Sequence, residues 1–167
     1  MKGWGSRILL LAALGAVGYW GWSVLFPNPE KVIRKRLGEL ARAASSSSKD
    51  SLLTTAWNAS SLMDFFTPDV RVAIDVPGAQ HNITGRDELL QAALLARQQY
   101  PSLKIDFPDM QVTLAPDKES ATVNLTARGK ARGQKGSELY VEELRLSLVK
   151  VKRDWLISEI VSVRTLS

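Results

Sequence analysis

Three features of the sequence predict an α+β domain in which three N-terminal helices pack on a strongly curved, mostly antiparallel sheet. Helix-like apolar spacing is confined to residues before 101. From residue 102 to the end, strand-like alternation recurs with no helical stretch between. The residues after 27 are enough to bury one ordinary core.

The chain of 167 residues opens with "MKGWGSR", which holds Lys2 and Arg7 and no acid. Residues 8–26, "ILLLAALGAVGYWGWSVLF", carry no charge. As a helix they would span about 28 Å, close to the hydrocarbon core of a bilayer. Trp4 on one side and Tyr19, Trp20 and Trp22 near the other suit the two interfaces, and Pro27 and Pro29 stop the helix. Residues 1–27 therefore read as a short basic tail and a transmembrane anchor, and residues 28–167 as the domain. Two competing readings stand beside this one. "AVG", ending at Gly18, fits a signal-peptide cleavage site, although the apolar run continues past it; and a buried core helix would show a polar face, which this segment lacks. The tail resembles a signal n-region and favours the domain on the exported, periplasmic side. Lys31, Arg34, Lys35 and Arg36 just beyond the segment argue the other way, unless they rest on anionic headgroups.

"NPEKVIRKRLGELARAA" starts the domain as a helix. Asn28 is its N-cap, Pro29 takes the first turn, and Ile33, Leu37, Leu40, Ala41 and Ala44 form one stripe. After the polar break "SSSSKD", residues 51–66 repeat the helical pattern through Leu53, Ala56, Trp57, Ser60 and Met63. "TPD" ends that helix. "VRVAIDV" alternates as a half-buried strand with Val70, Val72, Ile74 and Val76 on one side, "PGAQ" turns the chain, and "HNIT" returns it. Gly85 precedes a third helix, with Leu89, Leu90, Ala93, Leu94 and Arg97 on one side and Pro101 after it. "SLKIDFPDMQVTLA" is a long strand broken at Pro108, which predicts a bulge or bend. "ATVNLTARGKA", "ELYVEELRLSLVKV" and "WLISEIVSVRTL" complete an antiparallel meander.

Composition narrows the chemistry. There is no cysteine, so disulfides, thiolate metal sites and cysteine nucleophiles are excluded. A single histidine, His81, excludes a multi-histidine zinc site, and no cofactor motif is present. Removing Lys2 and Arg7 leaves 20 basic against 17 acidic residues, which is no nucleic-acid signature. The basic stretch "RGKARGQKG" lacks interleaved aromatics for stacking bases and P-loop spacing for phosphate, and reads as a solvated hairpin tip.

The order of "FFTPDVRVAIDVPG", "ITGRDELL", the meander and "DWLISEIVSV" resembles the NTF2-like superfamily, which includes SnoaL-like cyclases and ketosteroid isomerases. The likeness spans residues 29–167 and implies a cystatin-like cone with a pocket at its open end. It also implies dimerisation through the sheet, because such domains commonly pair that way. The anchor followed by this domain is similar in architecture to inner-membrane scaffold subunits of type IV secretion systems. The fold hosts many functions and does not choose among them.

In steroid isomerases of this superfamily the base lies on the strand corresponding to "VRVAIDV" and faces inward. Here alternation turns Asp75 outward with Arg71 and Ala73, unless a bulge reverses it, and residues 29–44 offer no tyrosine for an oxyanion hole. Two other acids share apolar strand faces: Glu142 with Tyr140, Leu144, Leu146 and Leu148, and Glu159 with Trp155, Ile157, Val161 and Val163. Buried there, a carboxylate would hold its proton and could act as general acid or base. The plainer alternative is a rim position, or a partner such as Arg97 or Arg128. Glu142, Glu159, Asp75 and Tyr140 are thus the catalytic candidates. The expected pocket comprises Trp57, Phe66, Tyr100, Phe107, Tyr140, Glu142, Trp155 and Glu159. Val141, Val149, Val151, Leu156 and Ile160 are expected on the opposite, apolar sheet face, which predicts a partner or a homodimer.

The sequence therefore points first to a membrane-anchored, non-catalytic domain that binds a protein or a small apolar ligand. An acid–base enzyme of the SnoaL-like or isomerase type is the alternative.

Overall fold

The computed structural model describes residues 28–47, 60–76, 79–133 and 136–163. The predicted anchor, residues 8–26, lies outside them. No helix among the described residues is long and apolar enough to cross a membrane.

Helix α1 (Pro29–Ala44) follows its capping logic. The Glu30 amide donates to the Asn28 side-chain oxygen at 3.0 Å, and Glu30 and Arg42 complement the two ends of the helix dipole. Its buried residues, Ile33, Leu37, Leu40 and Ala41, recur at helical spacing and form one face. Completely burying each of the larger ones contributes roughly 1.5–3 kcal/mol. At its end, the Ser45 hydroxyl donates to the Ala41 carbonyl at 2.7 Å, and Ser46 exchanges backbone hydrogen bonds with Leu103 at 2.7 and 3.1 Å. The helix is thereby tied to the sheet.

Of the predicted second helix, residues 60–62 are helical and Met63–Phe65 form a 3₁₀ turn. Trp57 lies outside the described residues. The strand expected to begin at Val70 begins earlier: β1 spans Phe66–Val76, because Phe66 pairs with Ile157. Val70 and Val72 are buried and Ile74 packs against the core, as the alternation requires. β2 (Ala79–Thr84) pairs antiparallel with β1. Gly85 then turns the chain into α2 (Arg86–Gln99) with φ +86°, a conformation that strains any residue with a Cβ. Its amide donates to the Val70 carbonyl at 2.7 Å. On α2, buried Arg97 donates to the Ala43 carbonyl at 2.8 Å and links the two helices.

The predicted break at Pro108 divides one run into two strands. β3 (Ser102–Asp106) and β4 (Met110–Leu114) lie along the same side of β5 (Ser120–Gly133), β3 on its second half and β4 on its first. β5 and β6 (Gly136–Val151) form a long hairpin, which pairs onward to β7 (Asp154–Ser162). β7 pairs parallel with β1, giving the order β2-β1-β7-β6-β5-β3 with β4 also on β5. The inner face of the sheet carries Val123, Leu125, Leu146, Leu148, Trp155 and Ile157, and α1 packs over it through Ile33, Leu37 and Leu40.

One register shift changes which side chains face inward. Leu148 pairs with Ile157, but Ser147 pairs with Glu159 and Leu146 with Ile160. Ser158 is therefore an extra residue, a bulge that reverses the alternation beyond it. Ile160 faces inward and packs against the core, in contrast to the outward position expected from the sequence.

Candidate functional site

The inner face of β6 is a gradient from core to solvent. Leu148 and Leu146 are buried, Leu144 and Glu142 are half-buried, and Tyr140 is 48% exposed. The end of the β5–β6 hairpin therefore extends past the core, and its inner face forms the rim where the candidate polar residues gather. Opposite Glu138, Tyr140 and Glu142 on β5 stand Ala131, Gly129 and Ala127, three small residues that do not crowd them.

Tyr140 does not pair with any of the three acids expected of it. Its hydroxyl donates to Glu138, two residues away on the same strand face. Tyr100, just after α2, completes the group. Its hydroxyl lies 3.1 Å from that of Tyr140 and 3.5 Å from Glu138 Oε2. Between the two tyrosines either hydroxyl can donate, and both lie within reach of the same Glu138 oxygen. The two rings meet edge to face, with centroids 6.4 Å apart and planes at 73°. Hydrogen bonding to Glu138, and next to Tyr100, raises the Tyr140 pKa above the ordinary phenol value. Tyr140 thus holds its proton firmly and is poorly suited to giving it up.

Glu142 shares this face, as expected from alternation, and makes no hydrogen bond or ion pair with the described residues. Glu159 does not share it. The Ser158 bulge turns Glu159 to the outer face, opposite Ser147 on β6 and Arg71 on β1. The Ser147 hydroxyl donates to its carboxylate at 3.4 Å. Asp75 also stays outward with Arg71 and Ala73, and its amide donates to the Ser162 hydroxyl at 3.0 Å. Neither expected cation pairs with Glu142 or Glu159: Arg97 binds the Ala43 carbonyl, and Arg128 lies 3.9 Å from Asp106.

The expected aromatic lining separates into two groups. Phe66 and Trp155, 4% and 3% exposed, are core residues packed with Leu148 and Ile157, and Phe107 packs against the same core. Among the described aromatic candidates, only Tyr100 and Tyr140 stand at the rim. Glu138 is not among the sequence candidates, although the same two-residue alternation that links Tyr140 to Glu142 also reaches it.

Hollows occur elsewhere among the described residues, and two of them contain none of the catalytic or pocket candidates. One of ≈ 440 Å³ is lined by residues of both sheet faces, among them Asp109, Asn124, Leu125, Thr126, Leu144 and Arg145. There Asp109 Oδ1 accepts the Thr126 amide at 2.9 Å, and this hydrogen bond lowers the Asp109 pKa. The other, of ≈ 480 Å³, lies among Arg36, Asp64, Arg86 and Lys152 at the opposite end of the sheet. No group of three or more acidic or histidine side chains placed to hold a metal occurs among the described residues.

A curved, mostly antiparallel sheet with few helices is shared with solved structures. An NTF2-like protein with a cystatin-like fold from Novosphingobium aromaticivorans aligns over 97% of this chain and 90% of its own, at 12% identity and a TM-score of 0.59. This chain has the NTF2-like, cystatin-like fold. A candidate scytalone dehydratase from the same organism aligns over 82% of this chain and 84% of its own, with 14% identity and a TM-score of 0.65. A candidate aromatic ring hydroxylase, again from that organism, aligns over 81% and 88%, with 12% identity and a TM-score of 0.65. No family model matches the chain, and no curated protein matches it in sequence. The NTF2-like neighbours thus carry names from different chemistries on one architecture, which leaves function to the site.

Proposed function

We propose that this chain is a membrane-anchored NTF2-like domain whose inner rim binds a ligand or a protein partner without transforming it. One observation carries the reading: the Tyr140 proton is committed to Glu138, and none of Glu142, Glu159 or Asp75 hydrogen-bonds to that tyrosine. An acid–base site needs a proton donor and acceptor free to act on a substrate between them. Here the donor is engaged, two of the three acids lie on the other face, and the deeper cone is filled by Phe66, Trp155 and Leu148. The anchor comes from residues 8–26. Pairing of two copies would use the outer face of the hairpin, where Leu139 and Val141 are 60% and 56% exposed. The centre of that face carries Thr122, Arg145, Ser147 and Glu159, so the apolar area is smaller than the sequence suggested.

The second reading is an acid–base enzyme with Glu142 as base, as in SnoaL-like or isomerase-like proteins. It is favoured by the half-buried, unpaired position of Glu142 beside Tyr140.

The two readings separate in one experiment. The full chain in detergent is incubated in D₂O with a panel of enolisable ketones, and deuterium incorporation is measured. A binding module leaves the background rate unchanged. Incorporation that disappears in Glu142→Gln would establish the enzyme. Alkaline carbonate extraction of membranes tests the anchor independently: the chain remains in the pellet, and deletion of residues 8–26 releases it.

A further inference from the structure

The rim joins two kinds of group that attract one kind of ligand. The Tyr100 and Tyr140 rings meet edge to face at 73°, and Tyr140 is 48% exposed, so the corner offers aromatic surface whose faces carry the negative part of the ring quadrupole. Two carboxylates, Glu138 and Glu142, share the strand face of Tyr140.

Strand register keeps the nearby cations off this face. Lys104, Arg128, Lys130 and Arg132 alternate with Leu103, Gly129 and Ala131, and all four point to the outer side of the hairpin. Arg97 is turned to the Ala43 carbonyl. The negative charge of the rim is therefore not neutralised by any cation of the described hairpin strands.

We propose that this corner binds a small organic cation, of the alkylated or quaternary ammonium class, seated on the tyrosine rings with the carboxylates beside it. The proposal rests on the rim being a binding surface, as inferred above, and names its ligand class. The chemistry selects against the alternatives. An anion would meet two carboxylates. A divalent metal would require more oxygen ligands than this corner converges. A quaternary ammonium needs no hydrogen bond, so it can use the ring faces while Tyr100, Tyr140 and Glu138 keep theirs. The small residues Ala127, Gly129 and Ala131 across the ladder leave the β6 side chains uncrowded on their β5 side.

The test is a calorimetric titration of the full chain in detergent with choline, and with 3,3-dimethyl-1-butanol as its uncharged isostere. Choline is expected to bind at least about tenfold more tightly than the alcohol, since charge is the only large difference. Tyr140→Leu should weaken choline binding about fivefold or more, whereas Tyr140→Phe, which keeps the ring, should change it by less than about twofold. Glu142→Gln should weaken choline but not the alcohol. Circular dichroism establishes that each variant is folded. Equal binding of the two probes, absence of choline binding by the folded wild type, or equal losses in the Leu and Phe variants would overturn the proposal. Its failure is distinguishable from failure of the binding reading: no choline binding with no deuterium exchange removes only the ligand class, whereas deuterium exchange that depends on Glu142 removes the binding reading itself.

Discussion

Glu159 stands opposite Ser147 on the outer face of the sheet, and the Ser147 hydroxyl donates to its carboxylate at 3.4 Å. Two residues earlier, Ile157 faces Leu148 in the core. Both positions cannot belong to one uninterrupted strand, and the extra residue Ser158 reconciles them. This bulge removes one of the two inward acids expected from the sequence and supplies Ile160 to the core instead.

Stability measurements should read this phase directly. Glu159→Ala is expected to change unfolding free energy by less than about 0.5 kcal/mol, as at a surface site. Ile160→Ala should cost about 2 kcal/mol, because it deletes methylenes packed against the core. Urea denaturation of the two variants checks this, and the reverse ranking would place Glu159 inside.

Much of this arrangement was legible in the sequence, and the failures have local causes. The α1 stripe and the β6 faces follow from strict periodicity, the break follows from Pro108, and the structure keeps all three. β7 resisted because "WLISEIVSV" has apolar residues on both sides, so a change of phase leaves no gap in the pattern. The parallel pairing of β7 with β1 was invisible because it joins segments far apart in the chain. At the rim, Tyr140 and Glu142 were found by alternation. The partner that fixes the Tyr140 proton, Glu138, was not, although it lies on the same face two residues before Tyr140.

The outer face of the hairpin contains a repulsion that can be removed. Lys104 and Lys130 are directly opposed on β3 and β5. Like charges at opposed positions destabilise a sheet, and opposite charges favour it. Lys104→Glu should therefore raise stability by roughly 0.2–1 kcal/mol. Thermal unfolding at low salt checks this, and the gain should shrink as ionic strength rises.

Capping of α1 gives a third expectation. Asn28 accepts the Glu30 amide, so Asn28→Ala should cost about 1 kcal/mol, with Asn28→Asp close to neutral. Leu37→Ala, one turn past Ile33 in the same buried face, should cost about 2–5 kcal/mol. Denaturation midpoints of the three variants distinguish loss of a cap from loss of core.

The hydrogen bond at Asp109 predicts acid sensitivity of known sign. Its pKa is lowered in the folded state, first by the Thr126 amide. Its contribution to stability is therefore present above the ordinary aspartate pKa of about 3.9 and lost as pH falls through the lower folded value. Asp109→Asn should flatten the dependence of stability on pH in that acidic window, as followed by circular dichroism.

The central claim is that Glu138, and no other acid, holds the Tyr140 proton at the inner rim. The pKa of Tyr140 is raised, so its stabilising hydrogen bond is fully present below the ordinary tyrosine value of about 10 and is lost as pH rises through the higher folded value. The deciding measurement is the alkaline titration of Tyr140 in the full chain, followed by the ring carbon resonances of ¹³C-labelled tyrosine. It is compared among the wild type, Glu138→Gln, Glu142→Gln and Glu159→Gln. Tyr140 should ionise well above ordinary tyrosines, and only Glu138→Gln should bring it down substantially. An equal or larger fall in Glu142→Gln or Glu159→Gln would contradict the claim, and would restore an acid–tyrosine pair of the kind an enzyme requires.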